Sequence, residues 1–238
     1  MNRLFKGFWL AAAVALVCCA PLAHADTFTL TGANPNNNSD GGVYVSPYQA
    51  SINGGSPVLV ICDDFSDEVY VGETWNVQSP WSVDQYTAGD GLFTGQTDYE
   101  EAAWLVLQLV GFTDAANQAA ISYAIWTIFD PSAINSYQVI GSPVHTPNQW
   151  ITLAAAAVAG GYTGAGVTVW TPTDKTQTTP NGSVTTCPAG ANNCGRPQEF
   201  LTVSTPDASA WSALAMSFLG LGALVVFFRR RISLSAGQ

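Results

Sequence analysis

Cys62 is the residue in this chain most able to do covalent chemistry. Of five cysteines, Cys18 and Cys19 fall in an apolar N-terminal segment. Cys187 and Cys194 bracket "CPAGANNC", where Pro188 and Gly190 permit a tight turn, so a disulfide is expected there. Cys62 is left over, at the end of a strand-like run and the start of "CDDFSDE". A thiol needs a base to become a nucleophile, and the only histidine beyond residue 25 is His145. His145 lies in "SPVHTPNQW", just ahead of a helix-start pattern, and no spacing ties it to Cys62. A loop histidine and a buried, apolar thiol are the expectation.

The carboxylates Asp63, Asp64, Asp67 and Glu68 are the next candidates, since oxygen-rich turns hold Ca²⁺. The run lacks the central glycine and terminal glutamate of a calcium loop, so a solvated acidic turn without metal is expected. There is no Gly-x-Ser-x-Gly, phosphate loop or zinc spacing. The pattern is that of a non-enzymatic chain with no cofactor.

Both ends carry export signals. Arg3 and Lys6, an apolar run from Phe8 to Cys19 and Ala23-His24-Ala25 form a signal peptide, residues 1–25, with cleavage expected between Ala25 and Asp26. From Asp26 to Ser204 there are two basic and sixteen acidic residues, a formal charge of 2 − 16 = −14. Such a surface repels nucleic acid.

The positioning elements follow from pattern. "TFTLTG", "GVYVSPYQASI", "SPVLVIC" and "EVYVGETWNV" read as strands, with "INGGSP" a hairpin turn. "TDYEEAAWLVLQLVG" reads as a helix opened by Thr97 and Glu100 at capping-box spacing and apolar nearly all round. "DAANQAAISYAIWTIFDP" reads as a helix capped by Asp114, and "TPNQWITLAAAAVAGG" as one capped by Thr146 with Pro147 at its first position. Strand returns at "GVTVWTP" and "QEFLTV". The expected fold is therefore α+β over residues 26–204, mainly a β sheet or sandwich with an inserted block of about three helices. A C-terminal transmembrane helix adds to it: residues 208–228 carry no charge, and about 1.5 Å per residue lets them span a bilayer. Arg229, Arg230 and Arg231 follow and stay on the cytoplasmic side, which puts the domain outside.

The tail, residues 205–238, resembles the C-terminal sorting tag of the PEP-CTERM proteins of Gram-negative bacteria. Pro206 matches the first proline of the family motif, Asp207 stands for its glutamate and Ala208 replaces its second proline. The resemblance implies a membrane-embedded exosortase as partner. It would hold the protein at the inner membrane, domain on the periplasmic side, until processing delivers it to the cell surface or extracellular space.

Upstream, "CDDF", "YEEAAWL", "ISYAIWTIFDP" and "RPQEFL" look like the exported domain common among these sorted proteins, which is in turn similar to the thioester domains of bacterial adhesins. In that family a strand-end cysteine displaces ammonia from a glutamine carboxamide on a helix, giving an internal thioester that captures a nucleophile. Cys62-Asp63 fits the first half. Ser122 stands where the glutamine belongs, and Gln118 lies one turn earlier on the same face, about 6 Å along the axis. The resemblance thus implies a degenerate thioester domain in a surface or biofilm-matrix protein associated with exopolysaccharide. A covalent adhesin using Cys62 and Gln118 is the alternative.

Overall fold

The computed structural model describes residues 25–33, 38–174, 176–178, 184–186 and 196–204. The signal segment, the Cys187–Cys194 pair, and the whole tail with its motif, 208–228 helix and arginines lie outside the described residues. Among the described residues no helix is long and apolar enough to cross a membrane.

The strands are β1 (Asp26–Gly32), β2 (Ser39–Asp40), β3 (Val43–Tyr44), β4 (Tyr48–Ile52), β5 (Val58–Cys62), β6 (Thr74–Val77), β7 (Trp81–Ser82), β8 (Val167–Trp170), β9 (Thr176–Thr178), β10 (Val184–Thr186) and β11 (Phe200–Val203). Three helices stand between β7 and β8: α1 (Gln96–Leu109), α2 (Ala115–Phe129) and α3 (Pro147–Ala159). One seven-stranded antiparallel sheet runs β6-β1-β4-β5-β11-β8-β7, and β2–β3 and β9–β10 form separate ribbons. The fold is α+β, as expected, and of the expected sheet or sandwich it forms a single curled antiparallel sheet with three helices.

The curl can be read from two rings. Phe28 on β1 and Trp170 on β8 are four strand spacings apart in the sheet order, about 19 Å if it were flat. Their ring centroids are 6.5 Å apart, so the sheet wraps around them. The same closure appears in the backbone, where Gln78 N–H donates to Thr171 O at 3.0 Å and Thr173 N–H to Asn76 O at 2.9 Å.

Period-two alternation sorts the strand residues onto two faces. Phe28, Tyr48, Val60, Cys62, Trp75 and Phe200 fill the inside of the curl. Ile61, Val167, Val169 and Leu201 face the helices, where they pack with Leu105, Ile121 and Trp150.

Local chemistry explains most element ends. Asn53 adopts φ 52 and Gly54 φ 69 in the β4–β5 turn, the left-handed region these residues tolerate best. Asp114 accepts from Asn117 N–H, and Thr146 and Gln149 form a full capping box on α3.

Four expectations change. α1 starts at Gln96 with Gly95 as its N-cap and no side-chain cap, so Thr97 and Glu100 do not box it. Trp104, Leu107 and Gln108 are only half-buried, whereas every residue from Asn117 to Trp126 on α2 is buried. The all-round buried helix is α2, whose Ala119, Ala120 and Ala124 let neighbours approach on every side. "EVYVGETWNV" is strand only over its last four residues, because Gly72 at φ 97 and a Tyr70 N–H bond to Glu73 Oε2 turn the chain first. "GVYVSPYQASI" is likewise split between β3 and β4 at Pro47, which has no N–H for a ladder.

Candidate functional site

β5 delivers Cys62 to the inside of the curl, fully buried, with Phe200 opposite it on β11. α2 lies alongside and supplies two contacts one turn apart. Trp126 Nε1–H donates to Cys62 O at 2.9 Å. Ser122 Oγ accepts from Ser46 N–H at 3.1 Å, and Ser46 Oγ accepts from Cys62 N–H at 3.2 Å. The thiol donates to Asp64 O at 3.1 Å. Burial, with the charges of Asp64 and Asp63 beside it, pushes the Cys62 pKa well above its usual value. The thiol therefore stays protonated, and a protonated thiol is a poor nucleophile.

Gln118 is also buried, one turn before Ser122. Its Nε2 donates to Phe112 O at 2.9 Å and its Oε1 accepts from Asn38 Nδ2 at 2.7 Å. The α2 residue that reaches Cys62 is Trp126, eight positions on, about 12 Å along the axis. Cys62 and Gln118 are held by different partners, with Ser122 between them. His145 packs edge-on against Trp150 at 4.9 Å, on the helix side of the sheet, so it and Cys62 face different cores.

The acidic turn is the main departure from sequence. Asp63, Asp64 and Asp67 are buried, not solvated, with relative exposures of 0, 1 and 4%. The cause is the β5–β11 ladder. Phe200 pairs with Cys62 and Leu201 with Ile61; continued past the strand ends, this register sets Glu199 against Asp63 and Gln198 against Asp64. Gln198 Nε2 donates to Asp64 O at 2.7 Å and also to Asp67 O. Arg196 Nε lies 3.2 Å from Asp67 Oδ2. Asp64 Oδ1 accepts from Ser66 N–H and Asp67 N–H, closing the turn on itself. "RPQEF" thus clamps "CDDFSD" from across the sheet.

Each carboxyl in the clamp has its own electrostatic state. Glu199 accepts from Tyr99 Oη at 2.5 Å, from Leu92 N–H at 3.1 Å and from the Thr171 hydroxyl. Burial raises its pKa, and these donors oppose the rise, as does Asp63. Asp63 receives no hydrogen bond at either oxygen. Burial, then the Glu199 charge, raises it well above the carboxylate range. Two buried carboxyls side by side disfavour a second negative charge, so the pair resists full ionisation. Asp64 is pushed up to about 7, first by burial and then by Asp67.

Among the described residues no three His, Cys, Asp or Glu side chains are grouped to hold a metal ion. The carboxyls are instead committed to Arg196, to backbone N–H groups and to one another. Sequence reasoning missed Glu199, Gln198 and Arg196 as partners of the turn. Their signal was a second polar run, "RPQE", immediately before a strand.

No family model, no curated protein and no solved structure matches this chain.

Proposed function

We propose that the chain is a non-enzymatic exported protein of the cell surface or exopolysaccharide matrix. On this reading residues 208–228 hold it at the inner membrane until an exosortase cuts near Pro206-Asp207-Ala208. One observation supports the reading: all seven strands of the main sheet lie within residues 26–203, inside the stretch bounded by the two expected export signals. β1 begins at Asp26, next to the expected cleavage site, and is anchored there by Asn53 Nδ2 donating to Asp26 Oδ1 at 2.7 Å. At the other end, Ser204 N–H donates to Gly166 O at 2.8 Å, just ahead of the stretch proposed as the sorting tail. The buried neutral thiol and the Ser122 hydroxyl at the acyl-donor position favour this role over covalent capture.

Deletion of residues 205–238 tests it. The truncated chain is expected to leave the membrane fraction and to lose the processing step that the full chain shows. Unchanged location and unchanged processed mass would overturn the sorting role. Intact mass of the exported protein addresses the covalent alternative, because an internal thioester removes about 17 Da as one ammonia.

A further inference from the structure

A cavity of about 490 Å³ opens between the β2–β3 ribbon, the turn after β5 and the end of α2. Its walls include the rings of Tyr44, Tyr48, Phe65, Tyr70 and Trp126. Two of them stand in water, with 51% of Tyr44 and 48% of Tyr70 exposed. Neither packs against another ring among the described residues, whereas Tyr48, Phe65 and Trp126 are held by ring neighbours inside the domain. Aromatic surface left uncovered around a concavity of this size marks a place for a ligand.

The charged groups of the wall are already engaged. Asp67 is paired with Arg196 at 3.2 Å. Asp64 accepts from Ser66 N–H and Asp67 N–H, and Glu68 accepts from Tyr70 Oη at 3.0 Å. The other oxygens of Asp64 and Asp67 are buried. A cation would therefore find no carboxylate both open and uncommitted. An anion would meet these acids with no lysine, arginine or histidine among the described lining residues to offset them. That leaves a neutral ligand.

Two uncharged polar groups of the wall are uncommitted. Gln198 Nε2 donates to Asp64 O and Asp67 O, and its Oε1 accepts no hydrogen bond from the described residues. The Tyr44 hydroxyl likewise has no partner among them. A plain hydrocarbon in the cavity would strip water from both and return nothing. A ring with C–H groups on its face and hydroxyls along its edge covers the aromatic surface and satisfies both. Sugars have that form.

We propose that this cavity binds a neutral saccharide, one sugar ring packed on Tyr44 and Tyr70 with its hydroxyls bonded to Tyr44 Oη and Gln198 Oε1. Such a site gives the matrix role proposed above its point of contact, and it rests on that role for where the sugar comes from.

Saturation-transfer NMR and calorimetric titration of the purified full-length chain, held in a detergent without a sugar headgroup, test the site. The probes are glucose, galactose and mannose, with the disaccharides cellobiose, lactose and mannobiose. At least one is expected to bind with a Kd below about 10 mM. It should bind about fivefold or more tighter than cyclohexanol, which has a ring without the hydroxyl edge. Tyr44→Phe is expected to weaken binding about threefold and Tyr44→Ala about tenfold, with the melting temperature unchanged. A disaccharide that binds more tightly than its single sugars identifies a chain as the source, and equal affinity identifies a free sugar or chain end; both support the site. Four results overturn it: no neutral sugar binding below about 10 mM, equal affinity for cyclohexanol, tighter binding of glucosamine or glucuronate than of any neutral sugar, or unaltered affinity in Tyr44→Ala. None of these readouts depends on location or processing, so the sorting role stands or falls on the tail deletion alone.

Discussion

Glu199 stands against Asp63 where the β5–β11 register continues past the strand ends, and burial together with the neighbouring carboxyl raises the pKa of Asp63 while burial raises that of Glu199. This pair joins the end of the central strands to Tyr99 on α1 and Thr171 after β8. Changing its two members should have opposite effects.

Glu199→Gln puts an amide nitrogen where a buried donor now points. Tyr99, Thr171 and Leu92 N–H cannot all be satisfied, and the expected loss is about 1–3 kcal/mol. Asp63→Asn removes a buried acid whose charged form burial and Glu199 disfavour, so at pH 8 it should be neutral or stabilising. Urea denaturation of both variants checks the contrast.

Asp64 titrates at about 7 in the folded chain against an ordinary 3.8. Between those values the folded state holds a proton that the unfolded state has lost. Its contribution is therefore complete below about pH 4 and declines as pH rises toward 7, by at most about 1.4 kcal/mol per unit. The groups facing it are Asp67 with Arg196, Asp63 and the Cys62 thiol. Melting temperatures at pH 4 to 8 should fall for the parent chain and fall less steeply in Asp64→Asn, where the raised carboxyls of Asp63 and Glu199 remain.

The Cys62 thiol should resist alkylation. Native protein exposed to iodoacetamide at pH 8 is expected to label Cys62 at least about a hundredfold more slowly than the same protein in guanidinium, because the thiol is buried and protonated. Peptide mapping separates it from the other cysteines. Native-state labelling at the unfolded rate would show a reactive site.

Gly91 passes directly over the Tyr99 hydroxyl, and a Cβ there would fall 1.9 Å from Tyr99 Oη. Gly91→Ala has to displace the ring or the loop and with it the bond to Glu199. A loss of about 2 kcal/mol or more is expected by thermal denaturation, with Gly89→Ala as a control for backbone strain, since open space surrounds Gly89 at φ 99.

Trp126→Phe keeps the ring but removes the donor to Cys62 O, and Ser122→Ala leaves Ser46 N–H without its acceptor. Each should cost about 1–2 kcal/mol. The double variant should lose less than the sum, since both bonds hold the same strand end.

Features set by neighbouring residues were legible in the sequence. The caps at Asp114 and Thr146 and the Asn53-Gly54 turn depend on chemistry three or four residues wide, and they form as expected. The α+β class followed from the order of patterns. The burial of "CDDFSD" was not legible, because its partners lie about 130 residues away and meet it only through the β5–β11 register. A run of acids looks solvated until its donors are placed. The curled sheet escaped for the same reason: alternation tells which side chains share a face, and not how far the strands bend. α1 begins at a glycine, which leaves no side-chain signature.

β11 is the last strand among the described residues, yet it lies between β5 and β8. Without it the described residues leave two half-sheets, β6-β1-β4-β5 and β8-β7, which meet at the far edge through the Gln78–Thr171 and Thr173–Asn76 backbone bonds but lack the strand that fills the centre. Folding has to wait until nearly the whole domain has left the machinery that makes or moves it. A stop only a few codons before residue 204 would yield a split, sticky intermediate rather than a slightly shorter protein.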